Sequence, residues 1–179
     1  MKNKQQRENS KKARKAANLL FPWEKWIAVE NGIYRSQRRA TGENSNYNDE
    51  LRDSQILRNF GYTIYLVSEP NTEGKKYDAI VNGLRFEFKN VSGNANTLEH
   101  QFLRSRSQAP NVFINLEKPE LSLREIISVI YGARNKSETN KIHGYAYYNK
   151  FKGGKIILKI KEKEKLIYLD VDNLKLPRK

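Results

Sequence analysis

The sequence predicts an α+β fold in which helices flank a central mixed β-sheet, and three observations carry that expectation. Asn82-Gly83, set between Ala79-Ile80-Val81 and Leu84-Arg85-Phe86, is the signature of a two-residue hairpin whose central residues both take positive φ. Helical-period stripes with terminating or capping residues occur before and after this hairpin. The last third of the chain is rich in β-branched residues interleaved with lysine.

In chain order, residues 1–15 carry Lys2, Lys4, Arg7, Lys11, Lys12, Arg14 and Lys15 with Glu8 as the only acid. They read as a mobile basic arm, helical or not from about Ser10 to Leu20, and Lys11, Lys12, Arg14 and Lys15 are candidate phosphate contacts. Phe21-Pro22-Trp23-Glu24-Lys25-Trp26-Ile27 reads as a hydrophobic anchor tucking that arm onto the core, with base stacking as the alternative. Residues 36–48 form a polar loop. A helix follows from about Asp49 to Asn59, ended by Gly61, with Ile56, Leu57 and Phe60 on the same side as Glu50 and Asp53. Tyr62 to Val67 is a strand, Pro70 to Gly74 a turn region, and the hairpin comes next. Thr97 to Ser107 is a second helix with Leu98, Phe102 and Leu103 inward and Gln101, Arg104 and Gln108 on a polar face. Asn111 to Leu116 is a compact apolar strand. Ser122-Leu123-Arg124-Glu125 is a capping box opening a helix to about Tyr131, with Gly132 at its end. Strands are expected at His143–Tyr148, Lys155–Ile160 and Lys165–Val171, with Lys161–Glu164 as a charged loop and Lys155 and Lys159 guarding an edge. The expected organisation is a basic arm over 1–20 and a single domain over 21–179, its core at about 49–116 and a C-terminal helix and β extension at 117–171.

The chain has 179 residues, and 34 lysines and arginines face 20 acids for a net charge of +14. That excess points to a polyanionic partner, nucleic acid ahead of an anionic membrane. The absence of cysteine excludes disulfides and thiolate metal sites, and only His100 and His143 are available for imidazole chemistry. Carboxylate chemistry is what remains. The apolar run at 16–21 is too short for a signal peptide, and no stretch has the length of a membrane span, so a soluble protein acting in a cytoplasm-like compartment is expected.

The hairpin register brings ionisable groups together. It pairs Val81 with Leu84, Ile80 with Arg85, Ala79 with Phe86 and Asp78 with Glu87, and Lys89 projects from the Glu87 face while Phe86 and Phe88 project from the other. Two carboxylates directly opposite repel. A raised pKa on one acid, the Lys89 ammonium, or a divalent cation such as Mg²⁺ would compensate.

This order of helix, three strands, helix and strand, with an acid on the second strand and Glu-x-Lys on the third, resembles the core of the PD-(D/E)XK nuclease superfamily. Tyr77-Asp78-Ala79-Ile80-Val81-Asn82-Gly83, Phe86-Glu87-Phe88-Lys89 and Gln108-Ala109-Pro110-Asn111-Val112 look like the tRNA-cleaving C-terminal toxin domains of bacterial contact-dependent inhibition proteins and their phage and mobile-element relatives. Tyr77 stands where that motif has proline. The resemblance implies a restriction-endonuclease-like core and a metal-dependent endonuclease acting on RNA, tRNA first, or on DNA. It implies that Asp78 and Glu87 hold Mg²⁺ or Mn²⁺, that Lys89 orients or activates water, and that Gln108 is auxiliary. Glu50, with Asp53 as its rival, would stand for the first-helix acid and a further metal ligand. Arg104 and Arg106 would grip phosphate or form a solvated surface. A delivered toxin with an immunity partner, or a virion-associated protein, would fit. Two alternatives stay open: a non-catalytic nucleic-acid-binding or virion-associated protein with a nuclease-like core, and a metal-independent ribonuclease of barnase-like or RelE-like α+β fold using His100, Glu87 and an arginine.

Overall fold

Small residues set the first packing event. Helix α1 (Lys4–Leu20) carries Ser10, Ala13 and Ala17 at three- and four-residue spacing, and both alanines are fully buried. Methyl-sized side chains let a helix axis approach a sheet closely, so a stretch with few large apolar residues still packs. The computed structural model describes residues 4–42, 45–68, 77–139, 153–161 and 163–176. The fold is α+β with a mixed sheet. The chain divides between Phe86 and Glu87 into two compact units, where a basic arm and a single domain were expected.

In the first unit α1 replaces the expected mobile arm. Ala13 and Ala17 pack with Tyr65, Val67 and Ile80, and the Ser10 hydroxyl lies 2.7 Å from that of Thr63. Strands β1 (Trp26–Glu30) and β2 (Ile33–Ser36) form an antiparallel hairpin that the sequence reading lacked. Its signal was Asn31-Gly32, flanked by β-branched and aromatic residues; Gly32 takes φ +90°. Helix α2 (Tyr47–Asn59) leads to β3 (Ile64–Leu66), which runs parallel to β2. Gly61 at φ +87° ends α2 as expected. Strands β4 (Ala79–Val81) and β5 (Leu84–Gly93) complete the element order read from 49 to 86. Trp26 packs edge-on against Tyr65 at 5.0 Å and Tyr34 stacks on Tyr65 at 4.6 Å, so the aromatic anchor is a layer of the core.

The second unit begins within β5 and continues through α3 (Ala95–Arg106), β6 (Asn111–Pro119), α4 (Leu123–Thr139), β7 (Lys155–Ile160) and β8 (Ile167–Asp170). Asn94 caps α3, its Oδ1 accepting from the amides of Asn96 and Thr97 at 3.1 and 3.2 Å. Helix α4 opens on the expected capping box but runs past Gly132 to Thr139, because Ala133 continues the buried stripe of Ile126 and Ile130. β7 pairs with β6 in parallel and with β8 antiparallel, so it is an interior strand. Lys155 and Lys159 therefore guard no edge; Lys159 Nζ donates to the carbonyl of Ile160 at 3.0 Å and to that of Lys163. The expected strand His143–Tyr148 and turn Pro70–Gly74 lie outside the described residues.

Candidate active site

The hairpin takes the expected geometry. Asn82 and Gly83 have φ +47° and +92°, and the ladder pairs Val81 with Leu84, Ile80 with Arg85 and Ala79 with Phe86. Asn82 is also held from the side: its Oδ1 accepts from the Thr63 amide at 2.8 Å, and its amide donates to the Thr63 carbonyl at 3.0 Å. A Cβ at Gly83 would come within 3.3 Å of the Lys12 carbonyl oxygen on α1, so glycine serves both the turn and the helix approach.

The regular ladder stops one residue short of Asp78. In a regular strand the N–H and C=O of one residue point to the same neighbour. Asp78 instead donates its N–H to the Phe86 carbonyl at 3.1 Å, and its own carbonyl accepts from Val67 at 3.0 Å. Asp78 thus lies beyond the end of the ladder, its amide turned to Phe86 on one side and its carbonyl to Val67 on the other. Counting by twos from the turn therefore does not fix the direction of the Asp78 side chain, contrary to the expected straight pairing with Glu87.

In the second unit, alternation along β5 holds. Phe88 meets Phe113 edge-on at 5.6 Å, while Glu87 and Lys89 share the opposite face. Lys89 Nζ donates to Glu87 Oε1, forming an ion pair whose carboxylate side chain is 1% exposed and whose lysine is 16% exposed. Asn115 on β6 is buried and donates to Asn90 on β5 at 2.9 Å. Gln108 follows α3 in a turn closed by its amide on the Ser105 carbonyl at 2.9 Å; among the described residues its buried Oε1 accepts no hydrogen bond.

Arg106 is corrected. It is buried, and its guanidinium donates to the carbonyls of Pro110 and Gly153, so it ties a loop together rather than presenting a face to phosphate. Burial lowers its pKa, with Asp172 acting in the opposite direction. Pro110's carbonyl lies so close that a Cβ at Gly154 would stand 1.8 Å from it, which requires glycine there. Arg104 remains exposed, as are Lys11, Lys12, Arg14 and Lys15 on α1, and His100 on α3.

Glu50 is corrected too. It is buried on α2 and ion-paired with Arg39, a residue of the preceding polar loop that is itself buried. With the two side chains 5% and 6% exposed, neither partner of this pair is open to a substrate phosphate. Its rival Asp53 is fully buried one turn on. The sequence reading missed Arg39 because a polar loop is taken to face water; the adjacent Arg38-Arg39 pair upstream of two helix acids was the available signal. Among the described residues no group of three or more histidines, aspartates or glutamates is placed to hold a metal. Mg²⁺ needs fewer, since it binds through one or two carboxylates with water and substrate phosphate.

Among the described residues no helix is long and apolar enough to cross a membrane. Comparison with protein-family models, with curated proteins and with solved structures finds no match to this chain.

Proposed function

We propose that the protein is a metal-dependent endonuclease of the PD-(D/E)XK type acting on RNA, with tRNA as the first substrate to test, and that Glu87 and Lys89 form its working centre. The observation that supports this reading is the Glu87–Lys89 pair: a buried carboxylate and a partly exposed lysine side chain on one face of a strand. Phosphodiester cleavage needs a nucleophile stronger than neutral water and positive charge for the phosphoryl oxygens. A bound Mg²⁺ or Mn²⁺ supplies Lewis acidity and an acidified water. Glu87 would hold the ion. Lys89 keeps a proton donor and a positive charge beside that carboxylate, poised for the attacking water or the scissile phosphate. The sequence pattern assigns a second carboxylate to Asp78, and its substitution is a separate test.

Cleavage of total tRNA should require Mg²⁺ or Mn²⁺ and stop in chelator. Glu87→Gln and Lys89→Ala should each lower turnover by about 10²-fold or more. The two should differ in ion binding by titration calorimetry: weakened in Glu87→Gln, retained in Lys89→Ala. Full turnover in Glu87→Gln would end the assignment, and full activity in excess chelator would transfer it to a metal-free ribonuclease. The same pair favours one further reading: because the ion pair is self-neutralising, a nuclease-like core that only binds nucleic acid is chemically consistent. Salt-sensitive binding without cleavage under any divalent ion would establish that reading.

A further inference from the structure

We infer that the outward face of α1 and the turn after it bind a single nucleic-acid strand, with phosphates along the helix and a base stacked on Trp23. This deepens the nuclease reading by naming unpaired nucleic acid as the substrate class. At one hundred degrees per residue, Lys4, Lys11, Lys15 and Leu19 lie on one stripe of α1, flanked by Arg7 and Lys12. All are exposed, with Glu8 as the acid among them. The opposite stripe is occupied: Ala13 and Ala17 are buried against Tyr65, Val67 and Ile80. The cations are therefore carried on a docked rod, pre-arranged for a polyanion, and only their counter-ions need be displaced on binding.

The turn supplies the aromatic. Glu24 N–H donates to the Phe21 carbonyl at 3.0 Å, closing a tight turn with Pro22 and Trp23 at its tip. Phe21 points inward, against Trp26 at 6.1 Å and Tyr77 at 6.4 Å. Trp23 is left 68% exposed and Leu19 70%. An exposed tryptophan in the turn that follows a helix carrying a row of cations is the kind of combination that holds single strands, because every unstacked base offers a π-face. A duplex keeps its bases stacked on one another and gains little from it. An anionic membrane is the weaker fit, since an interfacial helix inserts a broad apolar face and the apolar stripe of α1 is already used on the strands.

The test is fluorescence anisotropy of the full chain in excess chelator, where metal-dependent cleavage is silent, with labelled oligouridine and an RNA duplex of equal length over a salt series. Trp23→Ala should weaken oligouridine binding by about tenfold, leave duplex binding and the salt slope unchanged, and be rescued by Trp23→Phe. Glutamine at Lys4, Lys11, Lys12 and Lys15 together should lower the log–log salt slope by roughly 0.7 for each phosphate that the helix no longer neutralises. All these positions are exposed, so unchanged thermal midpoints are expected as the folding control. Unchanged oligouridine affinity in Trp23→Ala, or equal weakening on the duplex, overturns the inference, as does binding to phosphatidylserine vesicles without binding to RNA. Cleavage is read separately: this binding without any cleavage in Mg²⁺ or Mn²⁺ sinks the nuclease and leaves the inference standing.

Discussion

Each unit buries an ion pair, and the two pairs are built differently. Arg39–Glu50 joins a loop to α2 with side chains 5% and 6% exposed, so water reaches neither partner. Glu87–Lys89 spans two positions on one strand, with the carboxylate closed off and the lysine side chain partly exposed. Taking charges out of water costs several kcal/mol per ion even after relaxation, and a buried pair is seldom better for stability than apolar residues of the same size. The first pair has a structural result to show for that cost, since it pins a polar loop. The second lies within a strand whose register needs no pin. What the contrast teaches is that burial of a charge does not mark a functional site; burial of one partner with access to the other is the more informative pattern.

Replacing both members of a pair tests that distinction, and the largest effect is expected on activity. Glu87→Leu with Lys89→Met should fold and cleave nothing. Arg39→Met alone leaves Glu50 buried without its guanidinium and should cost about 3–5 kcal/mol in chemical denaturation. Adding Glu50→Leu should restore most of that stability while cleavage stays at the wild-type rate. If the restored Arg39→Met/Glu50→Leu protein folds but no longer cleaves, Glu50 belongs to the catalytic centre after all, and the contrast between the pairs fails.

The cores differ as much as the ion pairs. The second unit packs aliphatic side chains, including Val112, Ile114, Ile126, Ile130, Ile156 and Leu158. The first packs alanines of α1 against a layer of Tyr34, Tyr65, Trp26 and Phe21. Close approach through small residues leaves no room for larger ones, so Ala13→Leu should destabilise by about 1–3 kcal/mol through overpacking. Ile130→Val in the second unit only shortens a side chain, and about 0.5–1.5 kcal/mol is expected. Both are read from denaturation midpoints. An Ala13→Leu protein as stable as wild type would show that α1 is loosely held, as the mobile-arm reading supposed.

The same difference explains what the sequence discloses. The β4–β5 hairpin is legible because Asn82-Gly83 constrains φ at two positions, and a turn sets its register without reference to anything distant. The Glu87–Lys89 face follows from strand alternation alone. The second unit's elements are legible because aliphatic periodicity reports burial directly, although the extent of α4 is not: Gly132 looks like a terminator until Ala133 is seen to continue the packed stripe. α1 is misread because alanine carries little hydrophobic signal per residue, and its burial depends on partners some fifty residues away. The direction of the Asp78 side chain is not legible for a subtler reason: the ladder that the turn registers ends at Ala79, one residue short of it. The Arg39–Glu50 pair is a tertiary fact with no local signature beyond its charges.

The smallest expected effect concerns how each unit secures a helix. α1 is placed by packing, whereas α4 is opened by its cap. Ser122 N–H and Oγ both donate to Glu125 Oε2 at 2.7 Å, and the Glu125 amide returns a hydrogen bond to Ser122 Oγ at 3.3 Å. The Ser122 hydroxyl first, and its backbone amide second, hold the Glu125 carboxyl below its usual pKa. Ser122→Ala removes the hydroxyl and should cost about 1 kcal/mol near neutral pH. The sign of the pH dependence follows from the depressed pKa. The charged cap contributes in full above the ordinary glutamate range, and the contribution is lost as pH falls through the lower folded-state value. Wild type and Ser122→Ala should therefore differ most in denaturation midpoint at neutral pH, and the gap should narrow in acid below that range to the part carried by the Glu125 amide's bond to Ser122 Oγ. A gap that stays constant down to the lowest pH at which the protein folds would show that the Glu125 charge plays no part in the cap, leaving the bond from the Glu125 amide to the Ser122 hydroxyl as the whole of what Ser122 contributes.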